Sequence, residues 1–173
     1  MNSVPLDALA ALFVALVATV CDVRTRRIPN VLTLAAAVAA LVFGFVSNGA
    51  WGLGMSTAGW LVGAALFFPF FALGGMGAGD VKLLAALGAW VGPADAVWLA
   101  IFASIAGGVL AAVVSLYHGY LRQAIVNLWL MLMHWRTAGP GPIAGMTLRD
   151  SRGPRLAYAI PIAAGLVCTL WRG

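Results

Sequence analysis

Asp22 and Asp80 are the two residues of this chain whose type and setting could carry chemistry. Asp80 follows Gly77-Ala78-Gly79, and Asp22 closes the first apolar run of a sequence that otherwise reads as membrane. A carboxylate inside a bilayer costs roughly 2.5–3.5 kcal/mol on insertion scales, so it normally faces other helices or a water-filled cavity and marks function. Two such groups suit aspartyl-type hydrolysis, in which an ionised carboxylate activates water and a protonated one donates a hydrogen bond to the scissile carbonyl. Like charges a few ångströms apart resist joint ionisation, so a shared proton divides the roles without a metal. Their distance in sequence is immaterial if the two helices pack side by side.

Helix ends give the pair an expected asymmetry. Asp80, opening a span, meets the positive end of a helix dipole, whereas Asp22, closing one, meets a negative end. That makes Asp80 the resting base and Asp22 the resting acid, with Arg24, Arg26 and Arg27 acting against the assignment. The pair is described by two apparent pKa values. Gly74, Gly75, Gly77 and Gly79 permit positive φ and close backbone approach, so an extended substrate could pair with their N–H and C=O groups; Gly77 and Gly79 are thus expected substrate-binding residues. Lys82 is the third. It lies about 200° round the helix from Asp80, a poor direction for pairing, and is free to snorkel to the interface or to touch substrate.

The elements that must position these residues follow from composition. Of 173 residues, 63% are hydrophobic and 9% charged, with no Glu, which is far more apolar surface than a soluble domain needs. Apolar stretches at Leu6–Cys21, Ile28–Val46, Trp51–Leu73 and Ala96–Tyr117 approach the length needed to cross about 30 Å of hydrocarbon. Val81–Val91 and Leu156–Trp171 are shorter, and the first would cover only about 17 Å, which places its start, and Asp80, inside the protein. The expected fold is all-α, a single polytopic membrane domain over 1–173 with six transmembrane helices.

Charge sets the orientation. Arg24, Arg26 and Arg27 lie between spans one and two, Lys82 starts span four, and Arg122, Arg136, Arg149, Arg152 and Arg155 lie between spans five and six. Asp7, Asp95 and Arg172 fall on the other side. The positive-inside rule then puts both termini outside and both aspartates at the cytoplasmic face. A net charge of +5 is explained by anionic lipid headgroups beside these loops, so the lipid bilayer and not nucleic acid is the expected partner.

Between Arg122 and Arg136 an apolar run too short to cross carries Gln123, Asn127 and His134 on roughly one face, as an interfacial helix would. Gly139-Pro140-Gly141-Pro142 then opens an irregular loop to Arg155. Cys21 and Cys168 belong to no CxxC pair, and His118 and His134 have no spaced partner, so neither a metal nor another cofactor is expected. No Lys or Arg precedes the first apolar run, which therefore reads as a retained helix and not a signal peptide. Pro29 suits the first turn of span two, and Asn30 suits nearby backbone groups.

Asp22-Val23-Arg24-Thr25-Arg26-Arg27-Ile28-Pro29-Asn30 and Gly77-Ala78-Gly79-Asp80-Val81-Lys82-Leu83-Leu84 resemble the prepilin peptidases, integral-membrane aspartic proteases of the GxGD type. Ala157–Gly165 is similar more loosely. The resemblance implies that Asp22 and Asp80 are catalytic, and that the substrate is a prepilin or pseudopilin whose short basic leader is cut at the cytoplasmic face of the bacterial inner membrane, just before its hydrophobic helix. Larger members carry an N-terminal cytoplasmic region with two CxxC pairs and also methylate the new N-terminus. The resemblance here is to compact peptidases serving Flp-type or tight-adherence pili, and N-methyltransferase activity is not expected. Two readings compete: a proton- or ion-coupled carrier using the carboxylates as protonation sites, and a non-catalytic pilus or secretion assembly protein, in which Asp80→Asn would be harmless.

Overall fold

The computed structural model describes residues 5–119, 121–139 and 156–172, and among them every regular element is helical. The helices are α1 (Leu6–Thr25), α2 (Asn30–Ala72), α3 (Ala78–Tyr117), α4 (Leu121–Ala138) and α5 (Ala159–Arg172). By length and composition α1, α2 and α3 are each able to cross a membrane, while α5 is a shorter apolar helix. The irregular loop expected after Gly139, with Arg149, Asp150, Arg152 and Arg155, lies outside the described residues.

Two of these helices double back. Within α2 the helical path is interrupted at Asn48 (φ −137°, ψ 21°) and Gly49 (φ 60°, ψ −144°). Ser56 Oγ nevertheless donates to the Ala40 carbonyl at 3.4 Å, although sixteen residues of straight helix would separate them by about 24 Å. The two arms of α2 are therefore antiparallel. In α3 the break is Gly92, at φ 82° and ψ 171°, a conformation that needs glycine, followed by Pro93. Across it a Cβ on Gly88 would come within 3.2 Å of the Ala96 methyl, so this helix also reverses. The expected second and third spans are thus the arms of α2, and the fourth and fifth are the arms of α3.

Small residues let these rods approach. A Cβ on Gly59 would collide with the Gly88 carbonyl, and one on Gly63 would come within 3.0 Å of the Ala85 Cα. Such contacts suit apolar surroundings, where association depends on close packing and not on expelling water. The core is correspondingly made of Ala11, Ala15 and Ala18 from α1, Leu83, Leu84 and Leu87 from α3, and Ile162 and Leu166 from α5. Large apolar side chains such as Phe13, Leu16, Ile105 and Val113 point outward. A bundle apolar on both its inner and outer surfaces matches a lipid-facing protein.

The ends of the bundle differ. Asp7, Trp51 and Gly92 meet around one cavity, and Arg172 pairs with Asp95 at 2.9 Å, so the residues near both ends of the chain share the end that carries the reversals. Asp22, Asp80 and the start of α5 occupy the other end. On α4, Gln123 donates to Asn127 at 2.9 Å, as one shared helical face requires.

Candidate active site

Asp22 lies one turn from the end of α1. The helix runs four residues past the expected Cys21 and stops where Arg26 adopts the left-handed conformation, φ 54°, with its N–H donating to the Asp22 carbonyl. That extension turns the Asp22 side chain into the bundle, where it is 6% exposed. Pro29 takes the N-cap position of α2, one place before the first turn expected for it.

Asp80 is the third residue of α3. Its carboxylate Oδ2 accepts the Gly77 N–H at 3.2 Å while its own N–H donates to the Gly77 carbonyl at 3.2 Å, a reciprocal cap that fixes the side chain against the helix start. The glycine loop therefore differs from expectation. Gly74 and Gly75 donate to the Phe71 and Phe70 carbonyls, closing the end of α2, and both polar groups of Gly77 are taken by Asp80. Ala78 and Gly79 head α3, where N–H groups have no intrahelical acceptor. Gly79 packs its backbone on Ile28, with room for a Cβ only at 3.3 Å from that side chain.

The two carboxylates line one cavity of about 280 Å³, together with Arg26, Arg27, Ile28, Asn30, Gly77 and Gly79. Lys82 does not enter the cavity wall; its Nζ donates to Asn30 Oδ1 at 2.9 Å at the rim. Asn30 thus serves Lys82, a role its sequence position did not disclose. An adjoining groove of about 340 Å³, with Thr33, Ala37, Trp60 and Ala85 in its walls, shares Asn30 and begins beside Lys82.

The expected acid–base asymmetry does not survive. Asp22 Oδ2 accepts the buried N–H of Ala159 at 3.1 Å, and Ala159 is the first residue of α5. Both aspartates consequently face helix N-termini, so the dipole argument no longer separates them. Tyr158, just before α5, packs edge-to-face with Phe67, their ring centroids 6.1 Å apart. Among the described residues no three of His, Cys, Asp and Glu converge as a metal site would require.

The fold and the site define a class, an apolar multi-helix bundle with a carboxylate pair at one end. The model of the type IV leader peptidase family matches residues 9–112, more than half of the chain and inclusive of both aspartates, and the chain belongs to that family. It is also 43% identical over 94 residues to the prepilin leader peptidase/N-methyltransferase of Aeromonas hydrophila, a match covering 50% of this chain and 32% of the relative. The matched region is thus about a third of that relative's length. No solved structure matches the chain.

Proposed function

We propose that this protein is an aspartic endopeptidase that removes the leader of type IV prepilins, with Asp22 and Asp80 as its catalytic pair. The observation that carries the reading is the cavity into which α1 and α3 each deliver one carboxylate. In the reaction the ionised carboxylate takes a proton from water as it attacks the scissile carbonyl. The protonated partner donates a hydrogen bond to the carbonyl oxygen, and a proton then passes to the leaving amine. The N–H of Gly79, which lines the cavity and has no intrahelical acceptor, is suited to the developing oxyanion.

In this reading the bundle has six spans with both termini outside, and its active site faces the cytoplasm from the bacterial inner membrane. Arg24, Arg26, Arg27 and Lys82 cluster at the aspartate end, whereas the other end carries Asp7, Asp95 and Arg172. That asymmetry is the positive-inside pattern. In this reading the leader lies on the polar side of the cavity, Gly79 and Lys82 contact substrate, and Gly77 acts by holding Asp80. The apolar residues after the cut enter the groove that starts at Asn30. The Flp or tight-adherence class of prepilin is the substrate proposed for the first test.

The test is co-expression with a Flp-type prepilin, reading precursor size and the new N-terminus. Asp22→Asn and Asp80→Asn are each expected to abolish processing at unchanged membrane abundance. Normal processing by either variant would remove the carboxylate pair from the reaction and favour an assembly role.

A further inference from the structure

Asp22 is held by a residue 137 positions away, and the grip is double. The Ala159 N–H donates to Asp22 Oδ2 at 3.1 Å, while the Ala159 carbonyl accepts from Thr19 Oγ1 at 3.3 Å. Thr19 and Asp22 are three residues apart on α1 and so share a face. One turn of α1 therefore binds both backbone polar groups of a single residue at the head of α5. Ala159 is fully buried and Asp22 nearly so, which leaves little water to compete for these bonds.

The Thr19 hydroxyl also donates to the Ala15 carbonyl at 2.7 Å, the short bond of a three-centre pair. That bond fixes the side chain's rotamer, so its oxygen stays aimed at α5. From the far side Tyr158 restrains the same point, because its ring packs edge-to-face with Phe67 and its hydroxyl occupies the space left by the missing side chain of Gly107. With Ala159 immobilised, the bond to Oδ2 stops the Asp22 carboxylate from rotating. Oδ1 is the oxygen left for the cavity.

We infer that Thr19 is a positioning residue of the site, holding Ala159 so that its N–H fixes the carboxylate of Asp22. The inference rests on the peptidase reading for its kinetic consequence but not for its structural one. Thr19 touches no substrate. It acts only through Ala159.

The experiment uses the full chain in membranes with a purified prepilin, comparing wild type with Thr19→Val, which keeps the shape without the hydroxyl, and Thr19→Ser, which keeps the hydroxyl. Thr19→Val is expected to lower kcat by roughly 10- to 100-fold, the scale of a small misplacement of a catalytic group, with KM within about twofold. Thr19→Ser is expected to restore turnover. Thr19→Val with wild-type kcat, or equal losses in both variants, would overturn the inference, the second outcome showing that the methyl and not the hydroxyl matters. If Thr19→Val does not accumulate, Thr19→Cys, of similar size but a weak donor, replaces it. Amide hydrogen exchange at Ala159 and Ile160 is followed in parallel. Faster exchange in Thr19→Val supports the clamp and unchanged exchange refutes it, even if wild type cleaves no prepilin and the peptidase reading fails.

Discussion

Lys82 and Asn30 meet at 2.9 Å, an ammonium donating to a side-chain carbonyl, and this bond ties the first residue of α2 to the second turn of α3. Asn30 lines both the carboxylate cavity and the apolar groove. The bond therefore sits at the threshold between the polar and apolar parts of the proposed substrate path. Because it is exposed, its worth to stability is small, and its value is in holding the Lys82 ammonium at that threshold, where the proposed substrate contact is made.

Replacing Lys82 by Met or Asn30 by Ala is expected to raise KM for the precursor several-fold while leaving unfolding in detergent almost unchanged. The double variant should be no worse than the more severe single one, since each removes the same bond. Additive losses in cleavage assays would show that the two residues act separately.

Gly59→Ala places a methyl against the Gly88 carbonyl, where neither backbone can yield easily. The expected cost is about 1–3 kcal/mol. Gly54→Ala, in the same arm of α2 with open space around it, is the control and should be neutral or stabilising by up to about 1 kcal/mol. Thermal unfolding of the two variants in one detergent makes the comparison.

Phe67 is buried and packs edge-to-face with both Phe70 and Tyr158, whereas its neighbour Phe68 is 58% exposed on the outer face. Phe67→Ala is expected to cost about 3–5 kcal/mol, and Phe68→Ala much less, because only the first leaves a cavity. The same unfolding measurement reads both.

At the opposite end Arg172 bonds Asp95 at 2.9 Å and lies 4.5 Å over the Trp98 ring. Asp95→Asn is expected to cost at most about 1 kcal/mol, because both partners are more than two-fifths exposed and solvent screens them. Arg172→Ala should cost more, having lost the ring contact as well. Only the first difference should vanish in high salt.

The apolar helices and the setting of both aspartates at one end of the bundle were legible in the sequence because each is a local signal: an apolar run, or a carboxylate in otherwise apolar surroundings. The shared face of Gln123 and Asn127 was legible for the same reason, being one helical turn, and the structure adds the hydrogen bond between them. What escaped was carried by backbone. The capture of Gly77 by Asp80 uses main-chain groups that no side chain advertises, whereas the breaks at Asn48-Gly49 and Gly92 fall between expected spans and only their tightness was hidden. Ala159 is the plainest case. An alanine has no chemistry to notice, and its N–H matters only because the fold sets it against Asp22.

The contact of Gly59 with Gly88 carries one more consequence, a matter of leverage. Gly88 stands eight residues, about 12 Å, along α3 from Asp80. Bare backbone resting on bare backbone makes a pivot there, and a tilt of roughly 5° about it would swing the Asp80 end by ~1 Å, a misplacement sufficient to cost about a hundredfold in a positioned reaction. Two residues without side chains, far from any substrate, thereby calibrate the depth at which one carboxylate stands opposite the other.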